Sequence, residues 1–492
     1  MMSVLGIDSG SALVRGLTLG MLSLACVGGW AQDGGSGLPA APMPGGGAVA
    51  STTMAYGVAV EHGQAGALAL GLDDAIERGL QKNLQVELAK QNEAAVHGEL
   101  LTVGNALLPG LTADLRTETQ QINLAAMGFK PASLAAFGLP AGSFHEIVKV
   151  DTTSASLRLE QQLFNVPAYY LYRAAQKAER AAEMTTLNVR GNVVLAVGTQ
   201  YLQALAAEAA IANAKSLENA DAEVLRQATA SHDAGVGTNL DVLRARVQLQ
   251  TQQQVVINAE NALAKDKIAL NRLIGLPAEQ ELELTDTAPY AAYATLSHED
   301  ALKLAFERRK DLLDLEAQME VARQTAKAVR SERLPSLSFK GFYGVLGETQ
   351  GLYHGVFSAQ GTLSVPIFQE AQQRGEREVA AAQMIALKQH IASLRVTIDA
   401  QIRSAMLDVN AADELVKVAQ SNVELSTQEL QDAMDRFSAG VDDNLAVVQA
   451  QAGLAAAQSR LVETLYEYNQ SKLTLARDTG VVETQYKVYL GR

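Results

Sequence analysis

The feature that most constrains this chain is an internal duplication. Leu72-Asp73-Asp74-Ala75-Ile76 returns 226 positions later as His298-Glu299-Asp300-Ala301-Leu302. The same offset carries Leu108-Pro109-Gly110-Leu111 onto Leu334-Pro335-Ser336-Leu337. Further on, Ala234-Gly235-Val236-Gly237-Thr238-Asn239-Leu240 falls on Ala439-Gly440-Val441-Asp442-Asp443-Asn444-Leu445, now at an offset of 205. The first copy therefore holds about 21 extra residues between the anchors, within the Gly-, Ala- and Pro-containing stretch 119–148. A repeat of this length means one supersecondary unit used twice, so a fold must be built from two similar halves.

Each copy has the same order of elements. A helix of about 35 residues is expected to run to just before Pro109 or Pro335, where the missing N–H and the ring of proline stop it. Two alternating strands follow, at about 110–120 and 148–163 in the first copy and about 336–346 and 354–367 in the second. A helix of over 60 residues comes next, from about Pro167 to His232 and from about Ala371 to Phe437. At about 1.5 Å per residue each is on the order of 100 Å long. A glycine turn leads into a last helix ending near Leu273 or Arg477.

The strands alternate strictly. Phe357, Ala359, Gly361, Leu363 and Val365 point one way, and Ser358, Gln360, Thr362 and Ser364 the other. Leu111, Ala113 and Leu115 likewise oppose Thr112, Asp114 and Arg116. A soluble sheet has this pattern when a core covers one face. Here no helix of ordinary length is left to cover it, and the strand length suits a transmembrane barrel. Four strands cannot close, and lipid tolerates no open edge, so several chains must share one barrel. The helices after the turns carry heptads. Val242, Leu249, Val256, Leu263 and Leu270 correspond to Val447, Leu454, Leu461, Tyr468 and Leu475. A second partial seam, Leu240, Leu243, Val247, Ile257 and Ile268, suggests helices wedged between two neighbours.

The bulk properties exclude several classes. The net charge of −14 without a basic stripe argues against nucleic-acid binding. Cys26 is the only cysteine, so there is no internal disulfide and no Cys-rich metal site. The seven histidines are scattered without ligand spacing, and no nucleophile elbow or phosphate loop is present, so neither an enzyme nor a cofactor or metal site is expected. Residues 1–31 read as a secretory signal: Arg15, the apolar run Leu17 to Val27, and Gly29-Trp30-Ala31 before Gln32. A rival reading takes Ser23-Leu24-Ala25-Cys26 as a loose lipoprotein box, with Cys26 lipidated. Residues 32–66 form a Gly/Ala/Pro-rich leader. The two repeats are assigned to 67–285 and 286–492.

With these elements in place, the sequence resembles the outer membrane efflux protein family, the TolC-like channel-tunnels, over about residues 72–480. The specific part is the tip motif. Arg436-Phe437-Ser438-Ala439-Gly440 matches its first half and Gly235-Val236-Gly237-Thr238-Asn239-Leu240-Asp241-Val242-Leu243 its second half. Ser231-His232 departs from the usual Arg-aromatic pair, and Asp443 stands in a Ser/Thr place. An Asn-Pro-Asp-Leu-like element appears as Asn83-Leu84-Gln85-Val86 and Arg309-Lys310-Asp311-Leu312, without the proline. The resemblance implies a mainly α fold with a membrane β part: a homotrimeric α-helical barrel below a shared twelve-stranded β-barrel. It also implies an outer-membrane location and periplasmic tunnel, docking to a periplasmic adaptor and an inner-membrane pump, and passive conduction of cargo.

Two sets of site residues follow. The adaptor-docking tips are Gly235, Val236, Gly237 and Thr238 in the first copy and Arg436, Gly440 and Val441 in the second. Asp432, Asp435, Asp442 and Asp443 are aperture candidates, since symmetry would repeat them as a carboxylate ring. The plainer reading of both sets is a tight turn and a solvated helix end. The alternative function is an exported coiled-coil structural or adhesion protein.

Overall fold

The chain divides into two units, Met1–Met54 and Ala55–Arg492. The computed structural model describes residues 66–123, 125–126, 147–286, 290–291, 296–439, 441 and 444–491, all in the second unit. The signal, most of the leader, Cys26 and the larger part of the inserted stretch lie outside the described residues.

The duplication is visible element by element. The first copy contains β1 (Leu68–Leu70), α1 (Leu72–Lys82), α2 (Leu84–Asn105), β2 (Gly110–Asn123), β3 (Ile147–Phe164), α3 (Val166–Asp233) and α4 (Asn239–Ile274). The second contains β4 (Leu282–Leu284), α5 (His298–Arg308), α6 (Lys310–Ser331), β5 (Ser336–Glu348), β6 (Tyr353–Ser364), α7 (Glu370–Ser438), α8 (Asn444–Asp478) and a closing α9 (Val482–Leu490). Gly275 and Gly480, equivalent residues just past the ends of α4 and α8, share a φ of 77°, a left-handed conformation that suits glycine.

One expectation is corrected. The 35-residue first helix is two helices in each copy, broken at the equivalent residues Asn83 and Arg309. Both residues have extended backbones, φ −71°, ψ 132° and φ −63°, ψ 122°. Tertiary partners reward each break. Asn83 is fully buried; its Oδ1 accepts from Gln85 N at 2.9 Å and its Nδ2 donates to Leu273 O at 3.2 Å. Arg309 is 4% exposed and donates to Asp311 (2.6 Å from Nη2) and to Gln401 (2.6 Å from Nη1), with Asp478 at 3.9 Å. α2 and α6 end at Asn105 and Ser331, before Pro109 and Pro335. β2 extends to Asn123, past the expected strand end, and β6 stops at Ser364, ahead of Pro366.

The four long strands make one antiparallel sheet in the order β2-β3-β5-β6. Its register lines up Leu111, Leu159, Gly341 and Ala359 in one row, Ala113, Leu157, Tyr343 and Phe357 in the next, and Leu115, Ala155, Val345 and Gly355 in a third. Because side chains alternate between faces, these rows share one apolar face. The opposite face carries Asp114, Arg158, Glu160 and Lys340. Arg158 lies 3.8 Å from Asp114 and Lys340 lies 3.9 Å from Glu160. Among the described residues nothing covers the apolar face: Leu115, Tyr343 and Phe357 are 79%, 70% and 79% exposed.

The main core lies where β1 and β4 pair in parallel beside α1, α3, α4, α8 and α9. Tyr201, Leu270, Tyr468 and Leu473 are fully buried there, and Tyr201 donates to Asp286 at 2.8 Å. The helices form a row in which α4 packs on α3, α3 on α8 and α8 on α7; α6 packs between α3 and α7.

Candidate functional site

At the far end of the row, each long helix reverses into its return helix. The α3–α4 turn is built by its glycines. Gly235 has φ +76°, and the N–H groups of Val236 and Gly237 both donate to Ser231 O, at 3.0 and 2.9 Å. A Cβ on Gly237 would lie 3.0 Å from the Ser231 side chain and 3.1 Å from His232 N, tighter than most packed Cβ contacts, so the turn would have to give by a few tenths of an ångström. Thr238 then starts α4 with a reciprocal capping box: its Oγ1 accepts from Asp241 N at 3.2 Å, and its own N donates to Asp241 Oδ2 at 3.2 Å.

The α7–α8 turn repeats part of this plan. Val441 N donates to Arg436 O at 3.0 Å, matching Val236 N on Ser231 O. Val236 and Val441 project into solvent at 83% and 72% exposure, so each turn presents one apolar side chain. Asp432, Asp435 and Arg436 are exposed on α7, and Asp435 accepts from Gln431 Nε2 at 3.0 Å. Gly440, Asp442 and Asp443 lie outside the described residues.

Behind the turns, Val224, Ala228, Val242, Ala245 and Val447 form a small core that joins the two helix pairs, with Met434 and Phe437 packed against it. Sequence reading missed what sits one helical turn above. Asp221 is 2% exposed on α3, in the same buried stripe as Leu217 and Val224. Its Oδ2 accepts a long bond from Gln248 (3.5 Å), and its Oδ1 has no partner among the described residues. Gln451 on α8, also 2% exposed, has neither amide atom satisfied. The signal was available: an aspartate at a buried-stripe position of α3, had the seam been followed onto that helix.

Burial pushes the Asp221 carboxyl up to about 6, against a smaller lowering by Gln248. The folded chain therefore holds this proton more tightly than the unfolded chain. The stability it contributes is fully present below the ordinary carboxylate range and is lost as pH rises through about 6. Asp221→Asn should remove that part of the pH dependence. It should also raise stability at neutral pH by about 2–3 kcal/mol, read as a higher midpoint in thermal unfolding followed by circular dichroism. A variant whose melting curve keeps the wild-type pH slope would show that Asp221 is not strained.

Along the row, the heptad positions behave as expected. Val242, Val256, Leu270, Val447, Leu454, Tyr468 and Leu475 are buried, and Leu249, Leu263 and Leu461 half-buried. The second seam, Leu240, Leu243, Val247, Ile257 and Ile268, is exposed on α4. α7, at the other end of the row, exposes Ile385, Val396, Leu407 and Val418. These recur every 11 residues, a spacing that keeps them on one face of a nearly straight helix.

Comparison with known proteins agrees with this architecture. The chain is 24% identical over 414 residues to the pyoverdine export outer membrane protein OpmQ of Pseudomonas aeruginosa, covering 83% of this chain and 85% of that protein. It is 22% identical over 354 residues to the outer membrane protein TolC of Escherichia coli, covering 69% and 71%. The crystal structure of the Campylobacter jejuni CmeC outer membrane channel superimposes with a TM-score of 0.70 at 16% identity, covering 84% of this chain and 86% of that one. The family model for outer membrane efflux proteins matches residues 75–276 and 301–481, one segment in each repeat, and the chain belongs to that family.

Proposed function

We propose that this chain is one third of an outer-membrane export duct, a passive conduit for an efflux or secretion system. Three copies close head to tail. β6 of one copy pairs with β2 of the next to complete a twelve-stranded barrel. The helix row closes in the same sense, the part of the α7 stripe nearer the tip, Leu407 and Val418, meeting that of α4. The observation that carries this reading is the pairing of unfinished edges. The open strands β2 and β6 stand at opposite ends of the sheet and the uncovered helices α4 and α7 at opposite ends of the row, as a heterologous interface that closes into a ring requires.

The apolar sheet face then meets lipid and the polar face lines the lumen. The tips at Gly235–Thr238 and Arg436–Val441 receive a periplasmic adaptor, which couples the duct to an inner-membrane pump. The exposed Val236 and Val441 are apolar contacts for it. Asp432, Asp435, Asp442 and Asp443 ring the periplasmic aperture in three copies. A coiled-coil rod has no use for the uncovered apolar sheet.

Gly235→Pro tests the docking role, because proline cannot adopt the positive φ of that turn. Trimers should still form in outer-membrane fractions while export of cargo, measured in cells expressing the cognate pump and adaptor, falls to background. Export at the wild-type rate would remove the tip from the docking surface.

A further inference from the structure

A groove runs along α6 where α3 and α7 flank it. Its upper part, about 520 Å³, is lined by Arg330, Arg374 and Arg377 over a floor that includes Ala326 and Ala380. Its lower part, about 810 Å³, is lined by Lys177 and Arg180 from α3, Arg323 from α6, and Lys388 and Arg395 from α7. Ala381 and Met384 belong to both parts, so the groove is continuous. From Arg374 to Arg395 it extends roughly 30 Å along α7.

The charge in this groove runs against that of the chain. Eight cationic side chains line it and only three carboxylates do, Glu316, Glu320 and Glu378, in a chain of net charge −14. Those three are already engaged: Glu316 by Arg395 at 2.9 Å, Glu378 by Arg374 at 3.0 Å, and Glu320 by Arg323. Lys177, Arg330 and Lys388 have no ion pair among the described residues. The groove also has an apolar side, formed by Met319, Met384 and Ile391.

Its position bears on what it meets. α3 and α7 pack on either side of α6, and side chains from both reach into one groove. The staves that flank a middle stave come closest to one another on the concave side of a curved wall. In a closed ring of helices the concave side is the lumen.

We infer that this groove is an anion-binding track on the inner wall of the duct, taking cargo that combines phosphate, sulfate or carboxylate groups with an apolar body. This inference rests on the conduit reading for the location of the groove, but not for its affinity. The Arg330 guanidinium can hold an oxyanion through paired N–H donors, Lys177 and Lys388 add mobile point charges, and the other five arginines, each paired with a carboxylate, keep the surroundings cationic. Three copies repeat the track three times.

The test uses the full-length protein and inorganic tripolyphosphate as the probe. Calorimetric binding to the detergent-solubilised protein is compared with block of the current it carries in planar bilayers. The triple variant Lys177→Gln, Arg330→Gln and Lys388→Gln should bind tripolyphosphate at least about tenfold more weakly, since charge-assisted bonds are lost. Block should weaken in step, and Lys265→Gln, outside the groove, should change neither. Equal binding by wild type and triple variant overturns the inference, whatever the conductance. Binding lost in the variant, with no current through either protein, upholds the anion site and removes the conduit.

Discussion

Glutamates at Val247 and Ile257 should leave the protein folded but unable to assemble. Both side chains are exposed on α4, at 63% and 65%, so the isolated chain loses no core packing. In a closed ring they lie against α7 of the next copy, where a buried carboxylate without a partner costs about 3–5 kcal/mol. Three interfaces each carry two such charges, which is enough to shift assembly by many orders of magnitude. Sedimentation or native mass spectrometry of the double variant should show single chains with wild-type helix content. Trimers at the wild-type yield would mean that the α4 stripe faces solvent or another partner.

The second large effect separates the two faces of the sheet. Phe342 and Tyr343 are neighbours in sequence, yet they sit on opposite faces, Tyr343 in the row with Ala113, Leu157 and Phe357 and Phe342 in the row with Thr112, Arg158 and Ser358. An arginine on the lipid face near the bilayer middle costs about 2–4 kcal/mol per copy, whereas one facing the lumen is hydrated. Tyr343→Arg should therefore sharply reduce the amount of heat-modifiable protein in outer membranes, and Phe342→Arg should leave it nearly unchanged. Equal losses from the two variants, or the reverse order, would place the faces wrongly.

The contrast between these neighbours also shows how much of the fold is legible in the sequence. Strand alternation and the heptads are periodic, and periodicity survives without coordinates. So Leu111 to Leu115, Phe357 to Leu363, and the Val242 to Leu270 seam all lie where the pattern puts them. What was missed depends on partners distant in sequence. Asn83 breaks a helix because Leu273 O, 190 residues away, accepts from it, and Arg309 does so beside Gln401 and Asp478. The three-residue strands β1 and β4 and the final α9 are too short to show a period, and they exist because the core around Tyr201 and Leu473 covers them. At the tips, the glycine turns were legible from Gly235 and Gly237. The strained carboxyl of Asp221 was not, because its cost arises from burial between helices rather than from its own neighbours.

The assembly and membrane predictions depend on one claim, that the unfinished edges of the chain are closed by further copies of itself in the outer membrane. Native mass spectrometry of the complex extracted from purified outer membranes measures it directly. The expected result is a complex of three copies that also forms ion-conducting pores when reconstituted. A single chain recovered from the soluble periplasmic fraction, with no conductance, would contradict it.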